Sequence, residues 1–385
     1  MIHVSHFVGL SGVGGVQRNF SEYINNKSKS ELDDGLSHKI YTLGTVDQCY
    51  KFLVEVDVHD IRKLKNLFSL ILDIVSRKKI VHFYNNLTSL KVAILLLFLP
   101  VHKIILHERG AIWNSSSVRI PLLRFVAWKA SLILANSNAT KIMLEKRLNI
   151  YSKKIRVLHN GIDTTIKCKG KSKYDYTQLF RVGFIGRLDT PKGVHVLVDA
   201  MRYLVNDNVE LTIVGDGVLK NFLKERAKGI NHISFVGRVE NPYSFLNDFD
   251  LLVVPSIREP LGNVCLEAGL CKVPVLASNV DGIPEIIKDG ITGELMDATE
   301  EVSINTLRGA VPVPEFVVDP VTRELCIPKQ IDPSLLAIKI LELSADSEKL
   351  KCYADKLHDE VIKYFNINRY STELHMIYMQ ILKSY

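Results

Sequence analysis

DLLVVPSIREPLGNVCLEAGLCKVPVLASNVDGIPEIIKDGITG, residues 250–293, decides how this chain is read. The apolar run Leu251, Leu252, Val253, Val254 predicts a strand buried on both faces, ended by Pro255 and Ser256. A loop over 257–262 follows and carries Glu259, Pro260, Leu261 and Gly262. Asn263, a good capping residue, opens NVCLEAGL as a helix, and a second apolar strand is expected over 273–277. Strand, loop, helix and strand make one βαβ unit with parallel pairing. Ligands of open α/β sheets bind beyond the carboxyl ends of the strands. A helix start there offers N–H groups and about half a positive charge, which suits a phosphate. Gly262 lets the backbone come close to a ligand. Glu267 lies one turn after Asn263 on the same helix face, where its carboxylate can accept from neighbouring sugar hydroxyls. Glu259 stays outside the helix, on the loop.

A second stretch answers the first. RVGFIGRLDTPKG, residues 181–193, reads as an apolar strand ending at Gly186, with Arg187 and Lys192 around a Pro-Lys-Gly turn. Two cations at a strand's carboxyl end are what a diphosphate needs, since Arg grips two oxygens at once and Lys supplies a mobile point charge. LTIVGDG at 211–217 is the next strand and turn, and ISFVGRVENPY at 233–243 brings Gly237, Arg238 and Val239 to another strand end.

The N-terminal part repeats the alternation. Residues 2–8 form a strand, and GLSGVGGVQRNF then carries Gly9, Gly12, Gly14 and Gly15 before a helix near Val16. A dinucleotide fingerprint fails here on spacing, because its third glycine position falls on Gln17. Residues 60–75 show a helical apolar stripe, Ile61, Leu64, Leu67, Phe68, Ile71, Ile74 and Val75, expected to face a core, with Arg62, Lys63, Lys65, Arg77, Lys78 and Lys79 on the exposed side and end. A strand over 103–106 leads into HERGAIW, which places His107, Glu108 and Arg109 at its end. RIPLLRFVAWKA, 119–130, reads as a packed helix, and IRVLHNGID, 155–163, closes the domain.

Composition sets bounds. The chain has 385 residues, 47% of them hydrophobic and 24% charged, enough for two domains with ample core. Charge is unevenly shared. Residues 1–160 hold 23 Lys+Arg against 11 Asp+Glu, a net +12, while 161–385 hold 26 against 31, a net −5. A basic first half implies an anionic partner such as a membrane surface or a phosphate-bearing acceptor. Aromatics are not interleaved with the basic residues, so no nucleic acid is expected. Cys49, Cys168, Cys265, Cys271, Cys326 and Cys352 show no metal-ligand spacing and read as reduced thiols of a cytoplasmic protein. MIHVSHFVGL reads as a first core strand rather than a signal peptide, and the apolar run 92–101 is far short of the ~20 residues of a spanning helix. The expectation is a soluble or peripheral cytoplasmic protein, with the inner face of the cytoplasmic membrane as its place of attachment.

Glu259 and Glu267, with seven residues between them, precede the Asp281–Glu285 turn DGIPE; Gly186–Arg187–Leu188 and Lys192–Gly193 lie upstream; Gly14–Gly15 and Asn160–Gly161–Ile162–Asp163 frame the first half. In this order the set resembles the retaining glycosyltransferases of sequence family 4, of the surface-polysaccharide type. The resemblance implies the GT-B fold: two Rossmann-like α/β domains facing a cleft, an acceptor-side domain over 1–165, a linker over 166–180, and a nucleotide-sugar domain over 181–369. A C-terminal helix, about 370–385, would cross back to the first domain. It also implies transfer of a hexose or N-acetylhexosamine from a nucleotide diphosphate donor, UDP ahead of GDP, to a hydroxyl of a growing surface glycan or glycolipid, with retention and without metal or cofactor. Arg187 and Lys192 would then hold the diphosphate, with Gly14 and Gly15 near it. Gly237, Arg238 and Val239 would face the base, and Glu267 the ribose. Glu259, the amides of Leu261, Gly262 and Asn263, and His107 would face the sugar and diphosphate, while Glu108 and Arg109 would serve the acceptor. Two features depart from the family pattern: Pro260 stands where a glycine is usual, and an insert occupies 298–325, where PVPEFVVDPVTREL (312–325) echoes GIPEIIKDGITGEL (282–295). Two other classes stay open, a nucleotide-sugar epimerase or phosphorylase on the same fold and a non-catalytic binding protein.

Overall fold

The computed structural model describes residues 2–12, 14–29, 35–50, 53, 57–85, 87–168, 179–305 and 307–383. The elements run β1 (Ile2–Phe7), α1 (Gly15–Lys29), β2 (Leu36–Thr42), β3 (Val58–Asp60), α2 (Leu64–Val75), β4 (Lys79–Tyr84), α3 (Leu90–Phe98), β5 (Ile104–Glu108), α4 (Ile120–Lys129), β6 (Leu132–Ala135), α5 (Asn138–Leu148) and β7 (Ile155–Val157). They continue with β8 (Phe180–Ile185), α6 (Val194–Ala200), β9 (Val209–Val214), α7 (Lys220–Arg226), β10 (Ile233–Gly237), α8 (Tyr243–Leu246), β11 (Leu251–Val254), α9 (Asn263–Leu270), β12 (Val275–Ser278) and β13 (Glu294–Met296). A short hairpin, β14 (Val317–Val318) and β15 (Leu325–Cys326), precedes α10 (Pro333–Ser344), α11 (Ser347–Tyr364) and α12 (Ile367–Lys383). Two compact units result, Met1–Asp163 with Phe365–Tyr385, and Thr164–Tyr364. Most of the expected linker, residues 169–178, lies outside the described residues.

In the first unit the strand order is β3-β2-β1-β4-β5-β6-β7, parallel throughout. From β1 the chain steps outward to β3, then returns past β1 to β4. Right-handed crossovers therefore put α1 on one face and α2, α3, α4 and α5 on the other. α12 joins α1 on its face: Ile367, Tyr370, Leu374, Ile377 and Tyr378 pack in one cluster with Val4, Phe20, Tyr23 and Tyr84. The Tyr378 hydroxyl meets buried His82 Nδ1 at 2.8 Å. Burial holds His6, His82 and His107 below the usual imidazole range, so all three rings are neutral at pH 7.

The stripe over 60–75 is only partly inward. Asp60 ends β3, and the helix begins at Leu64. Its buried positions are Leu70, Asp73 and Ile74, while Leu64, Phe68 and Leu72 are 82%, 63% and 54% exposed. The reason is a polar anchor. The Asp73 carboxylate accepts from Ser5 Oγ at 2.8 Å, Tyr41 Oη at 2.7 Å and Lys79 Nζ at 2.5 Å, which turns that face of α2 to the sheet and the other apolar face to solvent.

The second unit has its own parallel sheet, β10-β9-β8-β11-β12-β13. Its strands are the expected apolar runs, packed with Val194, Leu197, Leu336 and Ile340 from helices. The echo between 282–295 and 312–325 does not become a repeated fold. β13 joins the main sheet in parallel, whereas β14 and β15 pair antiparallel with each other. The expectation of six reduced thiols also fails: Cys168 and Cys271 are joined as a disulfide, 103 positions apart, a pairing that no local spacing announces.

Gly161 shows how the last helix is seated. Ile367 N–H donates to Ile162 O at 2.9 Å and Ile162 N–H to Phe365 O at 2.8 Å, which draws α12 against the 160–163 segment. A Cβ on Gly161 would lie 2.8 Å from Ile367 Cα and 2.8 Å from Tyr370 Cβ. Gly161→Ala is therefore expected to lower stability by about 1–3 kcal/mol through overpacking. Thermal or urea melts measure it, and a melting curve matching the parent's would contradict this seating of α12.

Candidate functional site

From β8 the chain of the second unit leaves toward β9 and β10, and from β11 it leaves the other way, toward β12 and β13. β8 and β11 are neighbours, so the gap between these departures is the switch point where α/β sheets bind ligands. Arg187 and Lys192 follow β8, and the 257–262 loop and α9 follow β11. The two loops are tied through main chain: Ile257 and Arg258 N–H both donate to Pro191 O, at 2.9 and 3.1 Å. Gly193 makes this approach possible, because at φ +65° its Cβ would sit 1.8 Å from Pro255 O.

The charges at this place are paired. Lys192 Nζ bonds the Glu259 carboxylate, and Ser256 Oγ donates to the same oxygen at 3.3 Å. Arg187 Nε lies 3.2 Å from Asp189 Oδ2, and its side chain stays 58% exposed. Buried Arg258 is held below the usual guanidinium range by desolvation, against the pull of Glu259 and Asp281. The helix start differs from expectation: Gly262, at φ +98°, takes the cap position and Asn263 is the first helical residue. A glycine has no side chain with which to cover the first-turn amides, so they suit an anion. Leu261, Glu259 and Glu267 are all buried, at 1%, 7% and 8% exposure. α9 is backed by α11, whose Val361 and Leu357 leave no room for a side chain at Gly269. Gly237 ends β10 at φ +91°, with its carbonyl accepting Gly215 N–H at 2.8 Å; Arg238 beyond it is exposed and Val239 half-buried. These three stand two strands away from β8 in the sheet order.

The first unit places its candidates at the ends of β1 and β5. Gly15 opens α1, and Gly14 O accepts Arg18 N–H at 3.0 Å. His107 is 1% exposed, stacked on His82 with ring centroids 5.4 Å apart, and neither ring nitrogen has a hydrogen-bond partner among the described residues. Glu108 and Arg109 both make hydrogen bonds to the surrounding chain. The Glu108 carboxylate caps Gly110 N–H at 2.8 Å and Ile112 N–H at 3.0 Å, while burial pushes it above the usual carboxylate range. Arg109 is 7% exposed and donates to Asn160 Oδ1 at 2.5 Å, to Asn19 Oδ1 and to Val16 O at 3.3 Å, which ties the start of α1 to the 160–163 segment.

Comparison with known proteins fits this geometry. The profile of the glycosyl transferases group 1 matches residues 180–308, and that of glycosyltransferase family 4 matches residues 45–166, so each unit carries one. A 41.2 kDa protein from the cps region of Klebsiella pneumoniae is 28% identical over 327 residues, 79% of this chain and 88% of that protein. The capsular polysaccharide biosynthesis glycosyltransferase CapM of Staphylococcus aureus is 31% identical over 124 residues, 31% of this chain and only 33% of its own length. Among solved structures, Anabaena HepE in complex with UDP-glucose gives a TM-score of 0.75 at 19% identity, with 100% of both chains covered. Sucrose-phosphate synthase of Thermosynechococcus elongatus gives 0.71 at 16% identity, again with 100% of both covered. The chain belongs to the group 1, family 4 glycosyltransferases.

Its fold is accordingly GT-B. In this glycosyltransferase two aspartates hold the site loops, a task the sequence reading gave to neither, Asp281 having figured only as the first residue of the DGIPE turn. Asp189 and Asp281 each use a buried carboxylate to hold main-chain N–H groups of the site loops, Thr190 N–H at 3.2 Å for the first and Glu259 N–H at 2.9 Å for the second. Asp189 lies four residues beyond β8 and Asp281 three beyond β12, and an Asp at such a place is too common to single out by pattern.

The Lys192–Glu259 pair separates a structural from a binding role. Without Lys192 the Glu259 side chain, 9% exposed, loses its counter-charge. Lys192→Ala should cost about 1–3 kcal/mol of stability, as a buried carboxylate left unpaired does. Adding Glu259→Gln should recover most of that stability, without restoring affinity for a nucleoside diphosphate. Melting curves and UDP titrations of the two proteins check this; a double variant no more stable than the single one counts against the pairing.

Proposed function

We propose that the protein is a retaining hexosyltransferase, taking a hexose or N-acetylhexosamine from a UDP-sugar and adding it to a hydroxyl of a growing surface glycan or glycolipid. The observation that carries this is the grouping of Arg187, Lys192, Glu259 and the start of α9 at the ends of the adjacent strands β8 and β11. In transfer, the bond from the anomeric carbon to the β-phosphate oxygen breaks and a bond to the acceptor oxygen forms. Negative charge grows on the diphosphate as positive charge grows on the sugar. Arg187, Lys192 and the α9 dipole are suited to the first, and an oriented donor at a leaving group is worth on the order of 10²–10³ in rate. The departing phosphate takes the acceptor's proton on the same face, so configuration is kept. Glu267 is assigned to the ribose and Glu259 to the sugar. His107, neutral and with both ring nitrogens unpartnered among the described residues, is assigned to sugar hydroxyls. The protein's own cations take the part a metal would otherwise play. UDP-glucose bound to HepE and the capsular role of CapM support a UDP donor and a surface glycan.

Release of UDP from a UDP-sugar should require an acceptor, which separates transfer from epimerase or phosphorylase chemistry. Glu267→Ala should raise the dissociation constant for UDP by about tenfold or more, the loss of a charged hydrogen bond to a buried hydroxyl pair. A Glu267→Ala protein equal to the parent in UDP titration would remove the ribose role.

The acceptor side is assigned a membrane surface. No described helix is long and apolar enough to cross a bilayer. Yet α2, α3 and α4, on one face of the first sheet, expose Leu64, Phe68, Leu90, Phe98 and Trp128, and Lys63, Lys65 and Lys91 are exposed beside them. Apolar side chains rimmed by lysines match an anionic bilayer interface. Sedimentation with vesicles should rise with phosphatidylglycerol content, and Phe68→Ser with Phe98→Ser should weaken it about a hundredfold or more, since burial of each ring is worth about 1.5–3 kcal/mol. Binding that ignores anionic lipid content would refute this surface.

A further inference from the structure

The segment after β13, residues 298–325, reaches both loops of the site through its main chain. Its two ends are fixed in the core of the second unit. Ile304 and Ile331 are buried, Glu300 and Gln330 exchange main-chain bonds at 3.0 and 2.8 Å, and Gln330 Oε1 takes Ser303 N–H at 2.9 Å and meets buried His195 at 3.0 Å. From that base Val311 N–H donates to Asp189 Oδ1 at 2.7 Å, the carboxylate beside Arg187. Val318, buried in β14, binds Asp281 twice: Asp281 N–H donates to Val318 O at 3.0 Å, and Val318 N–H donates to Asp281 Oδ1 at 2.7 Å. The other oxygen, Asp281 Oδ2, accepts Glu259 N–H at 2.9 Å, and Gly282 N–H closes on Glu259 O at 3.1 Å. One buried carboxylate therefore joins the hairpin to the peptide of Glu259. Asp281 is 2% exposed with φ +47°, a left-handed conformation uncommon outside glycine, and these bonds hold it there.

We propose that the β14–β15 hairpin is a brace for the site, and that Asp281 is a positioning residue acting on Glu259 through its main chain. This rests on the transferase reading above. A carboxylate accepting two amide N–H groups in a buried place makes short, strong, directional bonds. Such a tie fixes a loop that would otherwise sample several positions, and a misplacement of about 1 Å at a reacting centre costs on the order of 10²-fold in rate. Asp189 receives the same segment at the other loop, so one insert registers the diphosphate side against the sugar side.

The test uses the full chain carrying Asp281→Asn, the same chain with residues 312–328 replaced by a Gly-Ser stretch of equal length, and the combination. Three readouts are taken: UDP affinity, acceptor-dependent kcat, and amide hydrogen exchange over 257–263. The brace predicts a kcat loss of about tenfold or more in each single variant, and UDP affinity within about twofold of the parent. The combination should be no worse than either alone, because both cut one connection. Exchange over 257–263 should quicken by about tenfold or more in each. Unchanged exchange in both variants overturns the brace whatever the activity, as does a kcat loss matched by an equal loss of UDP affinity. A parent that transfers from no nucleotide sugar overturns the transferase reading alone, since the exchange measurement still judges the hairpin.

Discussion

Two adjacent parallel strands, β8 and β11, send their chains away in opposite directions, and every charged group of the second unit's site depends on the opening this leaves. The opening is narrow because the backbones touch. The Pro191 carbonyl takes two N–H groups from the 257–258 segment, and Gly193 has no side chain to hold Pro255 away. Lys192 and Glu259 consequently stand in contact although 67 positions separate them. A buried carboxylate without such a partner would be costly, so the loop geometry and the ion pair require each other.

Buried polar groups elsewhere follow the same logic. Asp73 lies against Ser5, Tyr41 and Lys79, and Arg109 donates to Asn19 and Asn160, each held by hydrogen bonds to the surrounding chain. His107 differs. Its ring is as buried as theirs, yet neither nitrogen finds a partner among the described residues, which sets it apart from the neighbouring His82, bonded to Tyr378. Within one layer of neutral rings, one histidine is locked by structure and the other keeps its hydrogen-bonding capacity.

The insert over 298–325 shows how an addition to a fold can act without touching a ligand. It meets Asp189 and Asp281 through the peptide groups of Val311 and Val318. Side-chain identity matters there mainly through burial of Val317 and Val318, which keeps the hairpin in place.

The strands, their parallel pairing and the site ends of β8 and β11 were legible in the order of residues, because apolar runs and Gly-rich turns are local signals. Arg187, Lys192, Glu259 and Glu267 were legible for the same reason: each sits at a fixed offset from such a run. Local patterns carry no information about what lies across the sheet. The outward turn of Leu64 and Phe68, the bonds of Arg109 to the surrounding chain, the Cys168–Cys271 link and the grip of Asp281 on Glu259 all depend on partners far along the chain. Sequence determined the elements and the chemistry each could offer. Only the tertiary structure decided which of those groups were satisfied by the protein itself, since a buried polar group is settled by whichever neighbour the fold brings within about 3 Å.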